Sequence, residues 1–125
     1  MYLIIYINMF EYKQCIVITK DVKMTCQKSC VQVAHASIDS YRISNKKLRE
    51  SWYNEGQKKV VLEVETTQDI LNLASIADEN DIEYSIIQDM GYTEIEPDTI
   101  TAIGFEILPS EEIDKITKNL NLFKF

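Results

Sequence analysis

The sequence predicts one domain of the α/β class, with helices packed around a central sheet, and two observations lead to this class. Short apolar runs typical of buried strands alternate along the chain with longer segments in which apolar residues recur at the helical period. Of the 125 residues, 46% are apolar and 26% are charged, as in ordinary globular proteins. A chain of this length and composition buries a core without disulfides or structural metals.

The first half of the chain contains two predicted strands and two predicted helices. Residues 15–19 and 60–64 are short apolar runs rich in β-branched side chains, which favour strands. Apolar residues at helical spacing predict a helix over 27–43, and Asn45 is expected to cap a second, shorter helix that ends at Gly56. The apolar residues expected to pack the longer helix against the core are Cys30, Ala34, Ile38 and Tyr41.

The second half begins with a helix over 67–80. Thr66 and, three residues later, Asp69 form a capping-box pattern at its start, with Asp in the place of the usual Glu. The remaining predicted elements are strands over 82–87 and 100–107, a short helix over 111–118 and an extended tail over 120–125.

The connections between the strands predict their directions. The first three strands are each followed by a helix or a long loop, so crossovers should make them mostly parallel. The third and fourth strands are joined by a loop without a helical pattern, which favours an antiparallel pair. Ligands bind outside the carboxyl ends of parallel strands, and Lys28 follows the first strand as Asp89 follows the third. The two side chains are therefore expected at one edge of the sheet.

Five polar residues form the candidate active site. Lys28, Gln32 and His35 stand at positions i, i+4 and i+7, so one helix face presents an ammonium, an amide and an imidazole. Asp89 and Thr93 lie in the loop that follows the third strand. A cation, a carboxylate and a hydroxyl that meet at a strand end have the chemistry of a hydrolytic site.

The cysteines indicate neither a metal site nor a covalent mechanism. Cys15, Cys26 and Cys30 cannot all pair with one another, and no second Cys or His cluster accompanies Cys26 and Cys30. No base and aspartate pair is evident beside either of these two cysteines, which disfavours a covalent thiol nucleophile. A reducing, cytoplasmic setting is the simplest interpretation, and we expect no cofactor.

The N-terminal segment is expected to lie outside the domain. Residues 1–10 are apolar but fall well short of the about 20 residues that a membrane-spanning helix needs. An added strand, an interface patch, or an upstream start that precedes a true start at Met9 all remain open. We expect residues 1–12 to be an appendage, residues 13–125 to be the domain, and no membrane association.

Charge is unevenly distributed along the chain. Residues 1–59 hold ten Lys or Arg and five Asp or Glu, whereas residues 60–114 hold fifteen acidic residues and no basic ones. Residues 115–125 add three lysines, which gives the net charge of −7. This balance argues against a general nucleic-acid binder but allows one local basic face. Solvent-exposed helices that differ only in the sign of their net charge explain the same pattern.

Several motifs, in order from about residue 14 to residue 122, resemble one known family. They are Lys20-Asp21-Val22-Lys23-Met24, Lys28-x3-Gln32-x2-His35-Ala36, Glu55-Gly56-Gln57-Lys58-Lys59-Val60-Val61-Leu62, Asp89-x-Gly91-x-Thr93-x-Ile95-Glu96-Pro97, Ile103-Gly104 and Lys115-Ile116-Thr117. Together they resemble the archaeal and eukaryotic (type 2) peptidyl-tRNA hydrolases. The resemblance implies a three-layer α/β/α sandwich with a four-stranded mixed sheet, usually as a homodimer.

The resemblance also implies an activity, which is hydrolysis of the ester between a peptide and the 3′ ribose of tRNA, without a metal. By position, the active-site residues are Lys28, Gln32, Asp89 and Thr93, with His35 nearby. Asp89 would orient or deprotonate the attacking water, and Lys28 would stabilise the oxyanion or hold a phosphate. Thr93 and Gln32 would orient these groups by hydrogen bonds.

Substrate contacts are expected from His35 and from three basic residues, Lys23, Lys58 and Lys59. Simpler interpretations remain open, because His35 has the surroundings of a packed helix histidine and Lys58 and Lys59 follow a helix stop. Trp52 is expected to pack in the core or to line an interface.

The chain departs from the family pattern before the active-site lysine. Thr25-Cys26-Gln27-Lys28 stands where the family usually has Gly-Lys-Gly-Lys, and glycine allows conformations that Thr and Gln disfavour. In addition, Thr19 replaces a common arginine, Asp98 a glycine and Phe105 a proline. Weaker RNA binding is therefore expected, and the alternative function is a catalytically impaired RNA- or protein-binding module on the same fold.

Overall fold

The computed structural model describes residues 11–91 and 95–125, which fold into four helices and six strands. In chain order they are β1 (Tyr12–Thr19), α1 (Cys26–Ile43), α2 (Lys46–Glu55), β2 (Lys59–Val64), α3 (Thr67–Glu79), β3 (Tyr84–Gln88), β4 (Ile100–Phe105), β5 (Leu108–Pro109), α4 (Ser110–Thr117) and β6 (Asn121–Leu122). The predicted α/β class is confirmed. The expected N-terminal appendage lies almost entirely outside the described residues.

The strands form one mixed sheet in the order β3-β4-β1-β2-β6, and β5 pairs with the beginning of β1. β1 and β2 are parallel, whereas β4 is antiparallel to both β1 and β3, as predicted for the third and fourth strands. The expected count of four strands was wrong, because the sheet has six among the described residues. The two additional strands, β5 and β6, have two residues each, which is too short for a periodic pattern to indicate.

The core forms two apolar clusters that contain alternate residues of β1. Cys15 and Val17 belong to a cluster with the apolar residues of α3 and α4, such as Ile70 and Ile113. Ile16 and Ile18 belong to the other cluster, which contains Ala36 of α1, Ile87 of β3 and Ala102 of β4. This alternation follows from the two-residue period of a strand, and it explains why every residue of β1 from Gln14 to Thr19 is buried.

The buried face of α1 is largely polar, which contradicts the expected apolar face. Cys30, Ala34 and Ile38 are exposed and Tyr41 is only partly buried, whereas the buried residues are Lys28, Ser29, Gln32, Ala36 and Ser40. Two of the buried polar groups bond to β4: the Gln32 amide donates to the Thr101 hydroxyl at 2.7 Å, and the Ser40 hydroxyl donates to the carbonyl oxygen of Phe105 at 2.5 Å. Helical spacing of apolar residues therefore marked the outer face of this helix.

Side-chain caps fix the beginnings of three helices. The Thr25 hydroxyl accepts a hydrogen bond from the backbone N–H of Lys28 at 3.1 Å and so begins α1. Asn45 caps α2 as predicted, and the predicted capping box of Thr66 and Asp69 begins α3. Gly56 ends α2 with a φ of 126°, a backbone conformation that glycine adopts easily. No helix among the described residues is long and apolar enough to cross a membrane.

Candidate functional site

The carboxyl ends of β1 and β3 point to the same edge of the sheet, because both strands are antiparallel to β4, which lies between them. Lys28, on the first turn of α1 after β1, meets Asp89, directly after β3. The Lys28 Nζ lies 2.6 Å from the Asp89 Oδ1, and the side chains are 8% and 3% exposed. A short, buried ion pair therefore stands at the edge where both residues were expected.

The backbone holds Asp89 in place. Its N–H donates to the carbonyl oxygen of Thr99, and its own carbonyl oxygen accepts from the N–H of Asp98 at 2.7 Å. The Oδ2 atom accepts a hydrogen bond from the N–H of Gly91 at 2.7 Å. Gly91 has a φ of +84°, and an added Cβ would lie 2.6 Å from the Cγ of Pro97. The turn after Asp89 therefore requires glycine.

Gln32 lies one helical turn after Lys28 and is 1% exposed. Its Nε2 donates to the hydroxyl of Thr101 on β4 at 2.7 Å, and that hydroxyl in turn donates to the carbonyl oxygen of Ile87 at 3.4 Å. Thr101 fixes the position of the Gln32 amide, yet a threonine inside a strand gives no functional signal in the sequence. Four predicted residues, Lys28, Gln32, His35 and Asp89, line one cavity of about 300 Å³ together with Val31, Gln88 and Met90. Thr93 lies outside the described residues.

The loop that departs from the family pattern still supports Lys28. Thr25 has a φ of −63° and a ψ of 162°, an ordinary extended conformation. Every described non-glycine residue with a positive φ lies elsewhere in the chain, at Gln57, Asp81 or Asp98. Thr25 and Gln27 therefore fit this backbone without a left-handed conformation. Instead, Thr25 adds a cap that glycine cannot supply.

Asp21 is a further carboxylate at this edge that the sequence did not single out as functional. Its carboxylate accepts hydrogen bonds from the Thr19 hydroxyl at 2.7 Å and from the N–H of Thr67 at 2.7 Å. Partial burial by itself raises the pKa of Asp21, but the hydrogen bonds from Thr67 and Thr19 outweigh it, and the pKa falls below its ordinary value. Asp21 thus ties the end of β1 to the beginning of α3.

A second cavity of about 340 Å³ opens at the same edge. Its lining includes Lys20, Lys23 and Met24, together with Phe123 and Phe125 of the C-terminal tail. The Lys20 ammonium lies 5.1 Å from the centre of the Phe123 ring and donates to the carbonyl oxygen of Lys124. This cavity combines cationic and aromatic side chains.

Lys58 and Lys59 lie at the opposite edge, where the parallel strands begin and not where they end. Lys59 begins β2, whose six residues span about 20 Å to the carboxyl edge. The Lys59 ammonium stands 4.9 Å from the centre of the Trp52 ring. Trp52 is 3% exposed, and its Nε1 donates to the carbonyl oxygen of Lys58 at 2.8 Å, so this tryptophan packs in the interior. The two lysines therefore do not join Lys28 and Asp89.

The arrangement at the carboxyl edge provides acid–base and electrostatic groups. A carboxylate that is fixed by backbone donors can orient or accept a proton from water, and a fixed ammonium can stabilise an oxyanion. Among the described residues no group of three or more His, Cys, Asp or Glu side chains is placed to hold a metal ion.

Comparison with known proteins identifies similar sequences over nearly the whole chain. A family model described as "Peptidyl-tRNA hydrolase PTH2" matches residues 12–123. The chain is 43% identical over 115 residues to a peptidyl-tRNA hydrolase of Staphylothermus marinus, which covers 90% of this chain and 95% of that relative. It is 40% identical over 117 residues to one of Thermococcus onnurineus, with coverage of 91% and 99%. It is 47% identical over 100 residues to one of Nanoarchaeum equitans, with coverage of 77% and 86%.

Proposed function

The chain belongs to the peptidyl-tRNA hydrolase PTH2 family, and from this membership we propose that it hydrolyses the ester between the peptide and the tRNA of peptidyl-tRNA. The products are a free peptide and a free tRNA. The observation that carries the proposal is the buried ion pair of Lys28 and Asp89, with 2.6 Å between Nζ and Oδ1, at a cavity that opens where a ligand can reach it.

The mechanism that we propose uses a water molecule as the nucleophile. Asp89 orients the water and accepts its proton as the water oxygen attacks the ester carbonyl carbon. The carbonyl oxygen becomes an oxyanion, which the Lys28 ammonium stabilises. When the intermediate collapses, the bond to the 3′ oxygen of the ribose breaks, and that oxygen takes up the proton that Asp89 had accepted, which restores the carboxylate. Gln32, held by Thr101, and Thr93 orient these groups by hydrogen bonds.

We propose that the terminal nucleotides of the tRNA enter the cavity between Lys23 and Phe125. Bases stack on aromatic side chains and phosphates attract ammonium groups, so this lining suits a single-stranded RNA end. Val31 and Met90, which are 41% and 71% exposed beside the ion pair, suit the peptide. His35, exposed on the rim of that cavity, is proposed as a further contact of the substrate.

Lys58 and Lys59 are proposed to bind the tRNA at a distance from the ester. Both are exposed, but about 20 Å of strand separates them from the carboxyl edge. A tRNA is long enough to reach both edges of this domain, so these lysines would neutralise backbone phosphates without contacting the reacting bond.

A homodimer and a cytoplasmic location are proposed as well. Ile38 on α1 and Tyr53 on α2 are 60% and 56% exposed and line a shallow cavity of about 500 Å³, which makes this helix surface the proposed interface. Light scattering after size-exclusion chromatography would measure the mass. Ile38→Glu should convert a dimer to a monomer, because a charge buried at an apolar interface is unfavourable. A wild-type protein that is monomeric at high concentration contradicts the proposal.

We further propose a three-layer α/β/α arrangement for residues 13–125 and an appendage for residues 1–12. Alternate residues of β1 belong to two different apolar clusters, which supports the three-layer arrangement. The family match that begins at residue 12 supports the boundary between the appendage and the domain. Deletion of residues 1–8 should leave a folded protein with an unchanged melting temperature. A deletion variant that fails to fold contradicts the boundary.

The experiment that tests the function is a turnover assay on N-acetylaminoacyl-tRNA with purified protein. We expect release of the acyl group in the presence of a metal chelator. The matched control is a tRNA with the same group in an amide linkage to a 3′-amino ribose, which lacks the activated ester and should remain intact. Binding of the ester substrate without release would favour the alternative, an impaired binding module.

A further inference from the structure

Two exposed cysteines lie on either side of the proposed catalytic lysine in the sequence of α1. Cys26 is the first residue of the helix and Cys30 follows one turn later, and both thiols are free. They line one apolar cavity of about 300 Å³ with Val33, Val61 and Phe123. Lys28 lies between them in the sequence, but its side chain faces the other cavity. We propose that Cys26 and Cys30 form a reversible disulfide and that this bond switches off the hydrolase.

The spacing allows the bond at the expense of the helix. Residues at i and i+4 have Cα atoms about 6 Å apart, within the range of roughly 4.4–6.8 Å found in disulfides. Their Cβ atoms are about 5–6 Å apart in a helix, whereas a disulfide needs about 3.8 Å. The first turn of α1 must therefore tighten by more than about 1 Å when the bond forms.

The oxidant is a low-molecular-weight disulfide such as glutathione disulfide. The thiolate of one cysteine attacks a sulfur of the oxidant, forms a mixed disulfide and releases one thiolate. The second cysteine's thiolate then attacks the protein sulfur of the mixed disulfide and releases the other. The protein loses two electrons and two protons, and the oxidant is reduced to two thiols. The third cysteine, Cys15, is fully buried, and burial raises its pKa to about 11, so it does not compete.

The link to activity rests on the proposed function. The bridged turn contains Lys28, whose N–H is held by the Thr25 hydroxyl at 3.1 Å and whose Nζ lies 2.6 Å from Asp89. A tightened turn strains the cap and moves the ammonium away from the carboxylate. Because a displacement of about 1 Å costs up to about a hundredfold in rate, loss of this alignment is sufficient for a large fall in turnover.

The test treats the complete protein with glutathione disulfide and then measures intact mass, turnover and amide hydrogen exchange. We expect the loss of two hydrogen atoms, a rate lower by about tenfold or more, faster exchange in the first turn of α1, and full recovery with dithiothreitol. The matched control is the double variant Cys26→Ser with Cys30→Ser, which can form neither the internal bond nor a glutathione adduct at this turn and should keep the rate of its untreated form.

Three outcomes overturn the proposal. The first is a protein that carries separate glutathione adducts without an internal bond. The second is an internal bond with unchanged exchange in α1, and the third is an internal bond with an unchanged rate. Failure of the proposed function is a different result, since the reduced wild-type protein would then show no turnover. In that case mass and exchange still decide whether the bond forms and distorts the helix.

Discussion

A lysine contacts one neighbouring side chain at each end of the parallel strands β1 and β2, called here the two edges, but the two contacts differ in kind. At the carboxyl edge of β1, Lys28 is buried and paired with the carboxylate of Asp89, which the backbone of the following turn fixes. At the other edge, Lys59 is exposed and stands above the ring of Trp52. In both arrangements the lysine ammonium has a favourable electrostatic contact with its neighbour.

The difference between the edges lies in the free energy of burial. An exposed cation above an aromatic ring loses little hydration, whereas a buried ion pair loses most of its hydration and contributes little net stability. The fold keeps the pair of Lys28 and Asp89 at a cavity in spite of this, which is typical of a functional site. The contact of Lys59 with Trp52 is explained by packing, and we expect the two edges to respond differently to the same substitutions.

The largest difference is expected from loss of one member of the ion pair. Lys28→Ala or Asp89→Ala should lower the turnover number for peptidyl-tRNA by about a hundredfold or more, since each removes one preorganised group. Lys59→Ala is the matched lysine at the other edge and should leave the turnover number unchanged. Single-turnover rates with saturating enzyme measure the chemical step, and circular dichroism checks that each variant is folded. Wild-type rates in both site variants would refute the site.

A smaller effect is expected from Thr101. Thr101→Val keeps the shape of the side chain but removes the oxygen that accepts from Gln32 Nε2 at 2.7 Å. Loss of one buried hydrogen bond of about 1–1.5 kcal/mol corresponds to roughly tenfold, and we expect it in the turnover number rather than in KM. Thr101→Ser retains the hydroxyl and should restore the rate. A change in melting temperature without a change in rate would assign Thr101 to stability alone.

Charge reversal compares the two edges in RNA binding. Lys23→Glu should weaken binding of deacylated tRNA and reduce the salt slope by about 0.7–0.9, the value for one lost phosphate contact. Lys58→Glu with Lys59→Glu should also weaken binding and flatten the slope, but should leave single-turnover chemistry intact. With two family cations replaced and Asp98 added, the wild-type slope should correspond to roughly two to four contacts. If the affinity for tRNA changes neither with salt nor with either charge reversal, these lysines do not bind the phosphates of the tRNA.

Features encoded by local pattern were predictable from the sequence. The capping box at Thr66 and the antiparallel pair of β3 and β4 were predicted correctly, and the meeting of Lys28 and Asp89 followed from strand direction. These depend on neighbouring residues or on simple rules of connection.

Features that depend on partners distant in sequence were not predictable. The buried face of α1 was misassigned because Gln32 and Ser40 are buried by hydrogen bonds to β4, which a hydrophobic pattern does not register. Strand β6 exists because the tail pairs with β2, and two residues carry no period. The motif that contains Lys58 does not give the direction of β2 in the sheet. That direction, parallel to β1, is what places Lys58 far from the site.

The smallest effect is expected from Asp21, which the hydrogen bonds from Thr19 and Thr67 hold at the carboxyl edge. Its pKa is lowered in the folded protein, so the unfolded state binds the proton more tightly. The stabilising contribution is therefore present above the ordinary carboxyl pKa of about 4 and is lost as the pH falls through the lower folded value.

Asp21→Asn should lower the free energy of unfolding at neutral pH by less than about 1 kcal/mol, because the carboxylate is exposed and screened by solvent. The difference from wild type should shrink at pH values below about 4. Urea unfolding at several pH values measures both quantities, with Glu50→Gln, an exposed carboxylate on α2, as the matched control that should show no such trend. A difference between Asp21→Asn and wild type that stays constant with pH would mean that the two threonines, and not the charge, join β1 to α3.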